Sequence, residues 1–318
     1  MKLRVTHETR YDYAPPVETS QHMAYLRPVD TPAQSVGAYR LQVDPAPAQL
    51  THTRDGYGNW RSFFSLQAPH TTLRVVSTSE VQTRTVAAPP STVAWEDVQA
   101  RYQYRAGGPW DEAAEFVFPS PHVPRHADFL AWSRDSFTPG RPLLEVAREL
   151  MHRIHRELRY AAQSTEVHTP AREALAQRQG VCQDFAHILI ACLRARGLPA
   201  RYVSGYLLTR PPPGQPRLIG SDASHAWASV FLPDVAPENA ALGWHDLDPT
   251  NDRDGRCSPG QDYVTVATGR DFSDVSPLRG VIHGGARHTL SVGVTVEPVT
   301  DDGPAVFTTE PESEKELP

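Results

Sequence analysis

The sequence predicts an α+β protein, an all-β sandwich followed by a core in which helices precede an antiparallel sheet. Three observations predict it. Apolar residues alternate with a period of two over residues 1 to about 90, with Asp55-Gly56 and Gly58-Asn59 as turn signals. The period changes to 3.6 from about Pro142. Short alternating runs return after Gly197.

Taken in order, candidate strands Leu3–Tyr13, Met23–Pro28, Gly37–Val43, Asn59–Leu66 and Thr72–Thr83 fill a sandwich domain over residues 1–95. Residues 96–140 are rich in Pro, Gly and aromatics and read as a linker that packs on its neighbours, with a short helix at Ala127–Ser133. The core spans residues 141–300. Leu143, Leu144, Ala147, Leu150, Met151, Ile154 and Leu158 form one stripe of a helix from Pro142 to Arg159. Thr169-Pro170 reads as an N-cap with Pro at the first helical position, opening a helix to Gln177. A third helix begins at Cys182 and stops at Gly197, with Arg194 and Arg196 against the negative end of the dipole. Strands follow at Ala200–Leu208, Ser224–Leu232, Trp244–Asp248, Tyr263–Thr268 and His288–Pro298, and residues 301–318 read as an acidic flexible tail.

The chain has 318 residues and only three cysteines, too few for a disulfide framework, so free thiols in a reducing compartment are expected. The start of the chain is polar and alternating, unlike a secretory leader, and the expected location is cytoplasmic. A net charge of -6 without a Lys/Arg stripe argues against a nucleic-acid partner, and the absence of a long apolar run argues against a membrane. An edge-rich β region is compatible with a homodimer.

The chemistry concentrates at Gly180-Val181-Cys182-Gln183-Asp184. A thiolate attacks carbonyls, and the first turn of a helix favours a thiolate because unpaired amides and the macrodipole point at it. The same amides can hold the oxyanion of a tetrahedral intermediate. Cys192 lies on the apolar stripe and reads as core packing, and Cys257 reads as a loop thiol without a partner. For the base, His225 shares a strand face with Trp227, a polar group beside a large aromatic, whereas His187 is turned away from Cys182 on the same helix. The acid that orients the imidazole is Asp246 or Asp248, which share one face of their strand. Asp248 is favoured because Pro249 forces an extended strand end there, and Asp246 is then a solvated residue.

Gly-Val-Cys-Gln-Asp-Phe-Ala-His at 180–187, Arg-Tyr-Val-Ser-Gly-Tyr at 201–206, His-Ala-Trp at 225–227 and Asp-Pro-Thr-Asn at 248–251 resemble the core motifs of the transglutaminase-like superfamily. Residues 269–280 resemble a segment of its bacterial branch, and His7, Tyr11, Tyr13, Pro16-Val17 and Gly58-Asn59 resemble that branch's N-terminal β domain. The resemblance covers about residues 1–298 and implies a papain-like α+β core, with Cys182 as nucleophile, His225 as base and Asp248 as orienting acid.

That resemblance implies attack of Cys182 on an amide carbonyl, with water giving hydrolysis and an amine giving transfer. No Asp-x-Asp-x-Asp-Gly loop of the calcium kind is present, so a hydrolase of peptide or isopeptide amides without metal or cofactor is expected, acting on a peptide or protein substrate. The alternatives are a protein-glutamine transglutaminase and a non-catalytic binding protein that keeps the fold. A zinc site on His152 and His155, which share a helix face, is disfavoured by Arg153, Arg156 and Arg159 around the pair. The Pro211-Pro212-Pro213-Gly214 loop either borders a substrate cleft or is a rigid surface turn.

Overall fold

The structure is a computed structural model and describes residues 1–87, 89–107, 111–161, 169–209, 224–235, 238–285 and 287–299. The acidic tail and the Pro211–Gly214 loop lie outside the described residues.

The first five strands are β1 (Lys2–Ala24), β2 (Gln34–Asp44), β3 (Gln49–Arg54), β4 (Trp60–Leu66) and β5 (His70–Thr83). β1 runs 23 residues, longer than its alternation suggested, because Leu3, Val5, His7 and Thr9 all point inward and the strand continues past the Pro15-Pro16 step. β5 and β4 pair with successive halves of it, and the register shifts between Asp12 and Val17. The sheet folds on itself there, enclosing Tyr13, Val17, Phe64, Leu66, Leu73 and Val75 in one cluster. The region is therefore all-β as expected, but its two layers share β1 within one hydrogen-bonded sheet.

Helices α1 (Trp95–Arg101) and α2 (Ala127–Ser133) follow, then α3 (Leu143–Glu157), the short β6 (Arg159–Tyr160), α4 (Ala171–Gln177), the short β7 (Gln179–Gly180) and α5 (Cys182–Ala195). The segment read as a linker thus carries α1 as well as α2, and Val98, Val123 and Phe129 join the main core. The N-cap of α4 is Pro170, one residue later than expected. α5 is apolar around its whole circumference, so Phe185 to Leu193 are buried without interruption and α5 is the central core helix. Arg194 is buried as well; its guanidinium donates to the carbonyls of Ala200, Phe118 and Arg270, tying three chain segments together instead of facing the dipole from solvent.

The remaining elements are β8 (Ala200–Leu207), β9 (Ser224–Phe231), β10 (Trp244–Asp248), β11 (Arg253–Arg256), β12 (Tyr263–Gly269), α6 (Phe272–Val275), β13 (Leu278–Gly284) and β14 (Arg287–Pro298). Five of them form an antiparallel sheet in the order β11-β10-β9-β8-β12, with α5 against β9 and β8. The C-terminal strands do not extend this sheet. β13 and β14 pair antiparallel with β1, so residues expected to belong to the core complete the N-terminal sheet.

Two side-chain amides join the sheets. β12 is an edge strand, and its unpaired Thr265 and Thr268 backbone groups would otherwise be buried without partners. Gln34 accepts from the Thr265 N–H at 2.9 Å and donates to the Thr265 carbonyl at 2.7 Å. Asn59 does the same at Thr268, at 2.8 and 2.7 Å, and is itself held by Asp55. Apolar residues of the N-terminal sheet, Leu3, Val5, Val81, Val294 and Val296, belong to the same core as α3 and α5. Replacing Asn59 by Ala strands one buried N–H and one buried carbonyl, and should lower the unfolding free energy by about 1–3 kcal/mol. Urea denaturation measures this; an unchanged midpoint would contradict the docking role.

Candidate active site

Cys182 is the first residue of α5, preceded by Val181 as N-cap. The Asp184 side chain folds back and accepts from the Val181 N–H at 2.8 Å, which fixes the entry of the chain into the helix. Gly180 is required by this arrangement, since a Cβ there would lie 2.7 Å from Asp184 Oδ2. Cys182 is partly exposed at this position, whereas Cys192 and Cys257 are buried. Burial pushes both of those thiols up to about 12. Cys257, expected as a loop thiol without a partner, lies inside and donates toward the carbonyls of Ala241 and Trp244.

β9 opens with Ser224 and His225, whose ring reaches the start of α5. The His225 Nε2 is 2.7 Å from Asp248 Oδ2, which leaves Nδ1 as the nitrogen that hydrogen-bonds Cys182. The structure thus brings Cys182, His225 and Asp248 into one chain of contacts. Burial disfavours the charged ring, but the hydrogen bonds to Asp248 and Cys182 outweigh it and hold His225 up at about 10.

Asp248 ends β10 and is fully buried. Burial raises a carboxylate, yet its partners hold Asp248 below the ordinary range, with His225 contributing most and Asn251 and Tyr263 adding to it. Asn251 Nδ2 and Tyr263 Oη each donate to Oδ2 at 2.7 Å, while the backbone N–H groups of Thr250 and Asn251 donate to Oδ1. Neither Asn251 nor Tyr263 was singled out from the sequence. Asn251 stands inside the quoted Asp-Pro-Thr-Asn motif, and its Asx-type turn was readable there. Tyr263 comes from β12, fifteen positions on, and only tertiary structure brings it near.

Asp246, the alternative acid, shares the face of Asp248 but accepts from Trp227 Nε1 at 2.9 Å and is 3% exposed, so it is buried instead of solvated. Trp227 lies across β8 because Gly205 has no side chain; a Cβ there would stand 2.5 Å from the indole. His187 stacks on His122 with centroids 5.2 Å apart and accepts from the Phe272 N–H, and burial keeps it neutral. His152 bonds Asp252 and His155 bonds the Thr250 carbonyl, so both brace the turn after Asp248. Among the described residues no group of three His, Cys, Asp or Glu side chains converges as a metal site would need. None of the described helices is long and apolar enough to cross a membrane.

The His225 pair carries a pH signature. Its folded value, about 10, lies above the ordinary value near 6.5, so its contribution to stability is complete below about pH 6.5 and is lost as pH rises toward 10. Urea denaturation across this window should show the stability difference between the protein and His225→Ala shrinking with rising pH. Parallel curves would contradict the pairing.

Comparison with known proteins agrees with this architecture. Residues 3–82 match the model of the bacterial transglutaminase-like N-terminal region, and residues 131–249 match that of the transglutaminase-like superfamily. An uncharacterized protein of Mycobacterium tuberculosis is 42% identical over 96% of this chain and 95% of its own length. One from Mycobacterium leprae is 32% identical over 93% of this chain and 98% of its own. Among solved structures, a putative cysteine protease from Cytophaga hutchinsonii shares the fold with a TM-score of 0.65 at 20% identity, covering 94% of this chain and 92% of that one. With both regions present in this order and relatives similar along nearly its whole length, the chain belongs to the transglutaminase-like superfamily, in the branch that carries the bacterial transglutaminase-like N-terminal region.

Proposed function

We propose that this protein is a cysteine hydrolase of the peptidase or amidase type, opening peptide or isopeptide amides through an acyl-enzyme on Cys182. The observation that carries this reading is a single buried histidine that bonds a helix-start thiol on one side and a fully buried carboxylate on the other. Structural cysteines sit in apolar surroundings without such partners, as Cys192 does.

In this reading Sγ of Cys182, as the thiolate opposite the His225 imidazolium, attacks the carbonyl carbon and the C=O electron pair moves onto oxygen. The oxyanion forms at the start of α5, where the Cys182 N–H is free of an intrahelical bond. Collapse of the intermediate breaks the C–N bond, and His225 gives its proton to the leaving amine. Water then attacks the thioester, His225 takes its proton, and the acid leaves with the thiolate–imidazolium pair restored. Asp248 stays ionised throughout, holding the ring orientation and stabilising the imidazolium.

Incubation with a peptide library followed by intact-mass analysis tests the reading: the protein should carry an acyl adduct on Cys182 and release cleaved peptide, and Cys182→Ala should do neither. Asp248→Asn should lower kcat/KM by about a thousandfold or more, because the imidazole loses its orientation. Turnover within about tenfold of the parent would remove Asp248 from the mechanism. Incorporation of a labelled primary amine into a glutamine donor without cleavage would replace hydrolysis by transfer.

A further inference from the structure

On the sheet face that carries His225, a second polar row crosses three strands. Arg201 of β8, Ser229 of β9 and Asp246 of β10 lie directly opposite one another in register. Each has a buried polar atom without a hydrogen-bond partner among the described residues: Arg201 Nε, Ser229 Oγ and Asp246 Oδ1. Buried polar groups are almost always hydrogen-bonded, so three orphans side by side call for an explanation. The guanidinium of Arg201 lies 4.0 Å over the Trp244 ring. Burial lowers Arg201 only to about 10, so it stays charged at neutral pH.

Arg201 and Asp246 line a cavity of about 790 Å³ between this sheet and the N-terminal sheet, within the range of small-molecule sites. Phe231, Trp244 and Phe116 form an aromatic wall, and Tyr57 of the N-terminal sheet borders the cavity opposite. Cys182, His225 and Asp248 do not line it. Along β9, Ser229 stands four residues beyond His225, about 13 Å away, with Trp227 between them.

We propose that this cavity binds a short peptide with free ends, a dipeptide in the simplest case, with its carboxylate on Arg201 and its ammonium on Asp246. Opposite charges on the lining call for a zwitterion, and the guanidinium fork suits a carboxylate. Arg201 and Asp246 are two strand spacings apart, about 9.5 Å between backbones. A single amino acid carries both charges on one carbon, whereas a dipeptide separates them by a further residue, about 3.5 Å. The aromatic wall then receives an apolar side chain. The site lies apart from Cys182 and does not depend on the hydrolase reading.

Calorimetric titration of full-length protein carrying Cys182→Ala, with Gly-Phe as ligand, tests the proposal. Saturable binding is expected, weakened at least about tenfold in N-acetyl-Gly-Phe, in Gly-Phe amide and in the Asp246→Asn variant. Crystals of the otherwise unaltered chain soaked in Gly-Phe should show the dipeptide between Arg201 and Asp246, whether or not the variant folds. Equal binding of the blocked dipeptides, no binding, a dipeptide seated at Cys182, or only ordered water between Arg201 and Asp246 would each overturn it.

Discussion

The structure depends on keeping one carboxylate charged in a place without solvent. Asp248 is fully buried, and an unpaired charge there would cost several kcal/mol. Five hydrogen bonds offset that cost, from His225, Tyr263, the Asn251 side chain and the backbone of Thr250 and Asn251. They arrive from β9, β12 and the turn after β10, so the carboxylate can be satisfied only when these segments stand in their observed register. The sheet therefore places His225 and its carboxylate together, and α5 delivers Cys182 to the far side of the ring.

The N-terminal sheet takes part in this constraint. β12, which carries Tyr263, is an edge strand, and Gln34 and Asn59 supply the hydrogen bonds that a neighbouring strand would have made. The amides act as a two-point substitute for a sixth strand, and β13 and β14 return from the core to β1 on the other side. The two regions are thus joined by hydrogen bonds, by a shared apolar core and by chain connectivity, and the catalytic candidates sit on the sheet that both regions hold.

Much of this was legible in the residues. The stripe from Leu143 to Leu158 gave α3 within two residues at either end, since 3.6-residue periodicity is a local property. The helix start at Cys182 and the strand Trp244–Asp248 follow from local signals too. What local pattern does not carry is partnership. Nothing in the run from Leu278 to Pro298 tells which sheet it joins, because an alternating strand fits either. Parity put Asp246 and Asp248 on one face, but only the packing of Trp227 over Gly205 gives Asp246 an indole partner. Tyr263 was invisible for the same reason, and Cys257 looked exposed because its turn is folded inward against Trp244.

The central claim is that His225 is held as an imidazolium between Cys182 and Asp248. Nitrogen-15 NMR of histidine-labelled protein reads this directly from the two ring nitrogens. The account predicts that the His225 ring remains doubly protonated at about pH 8, well above the range in which an ordinary histidine loses its proton. A ring that titrates near 6.5, as an unpaired imidazole does, would contradict it.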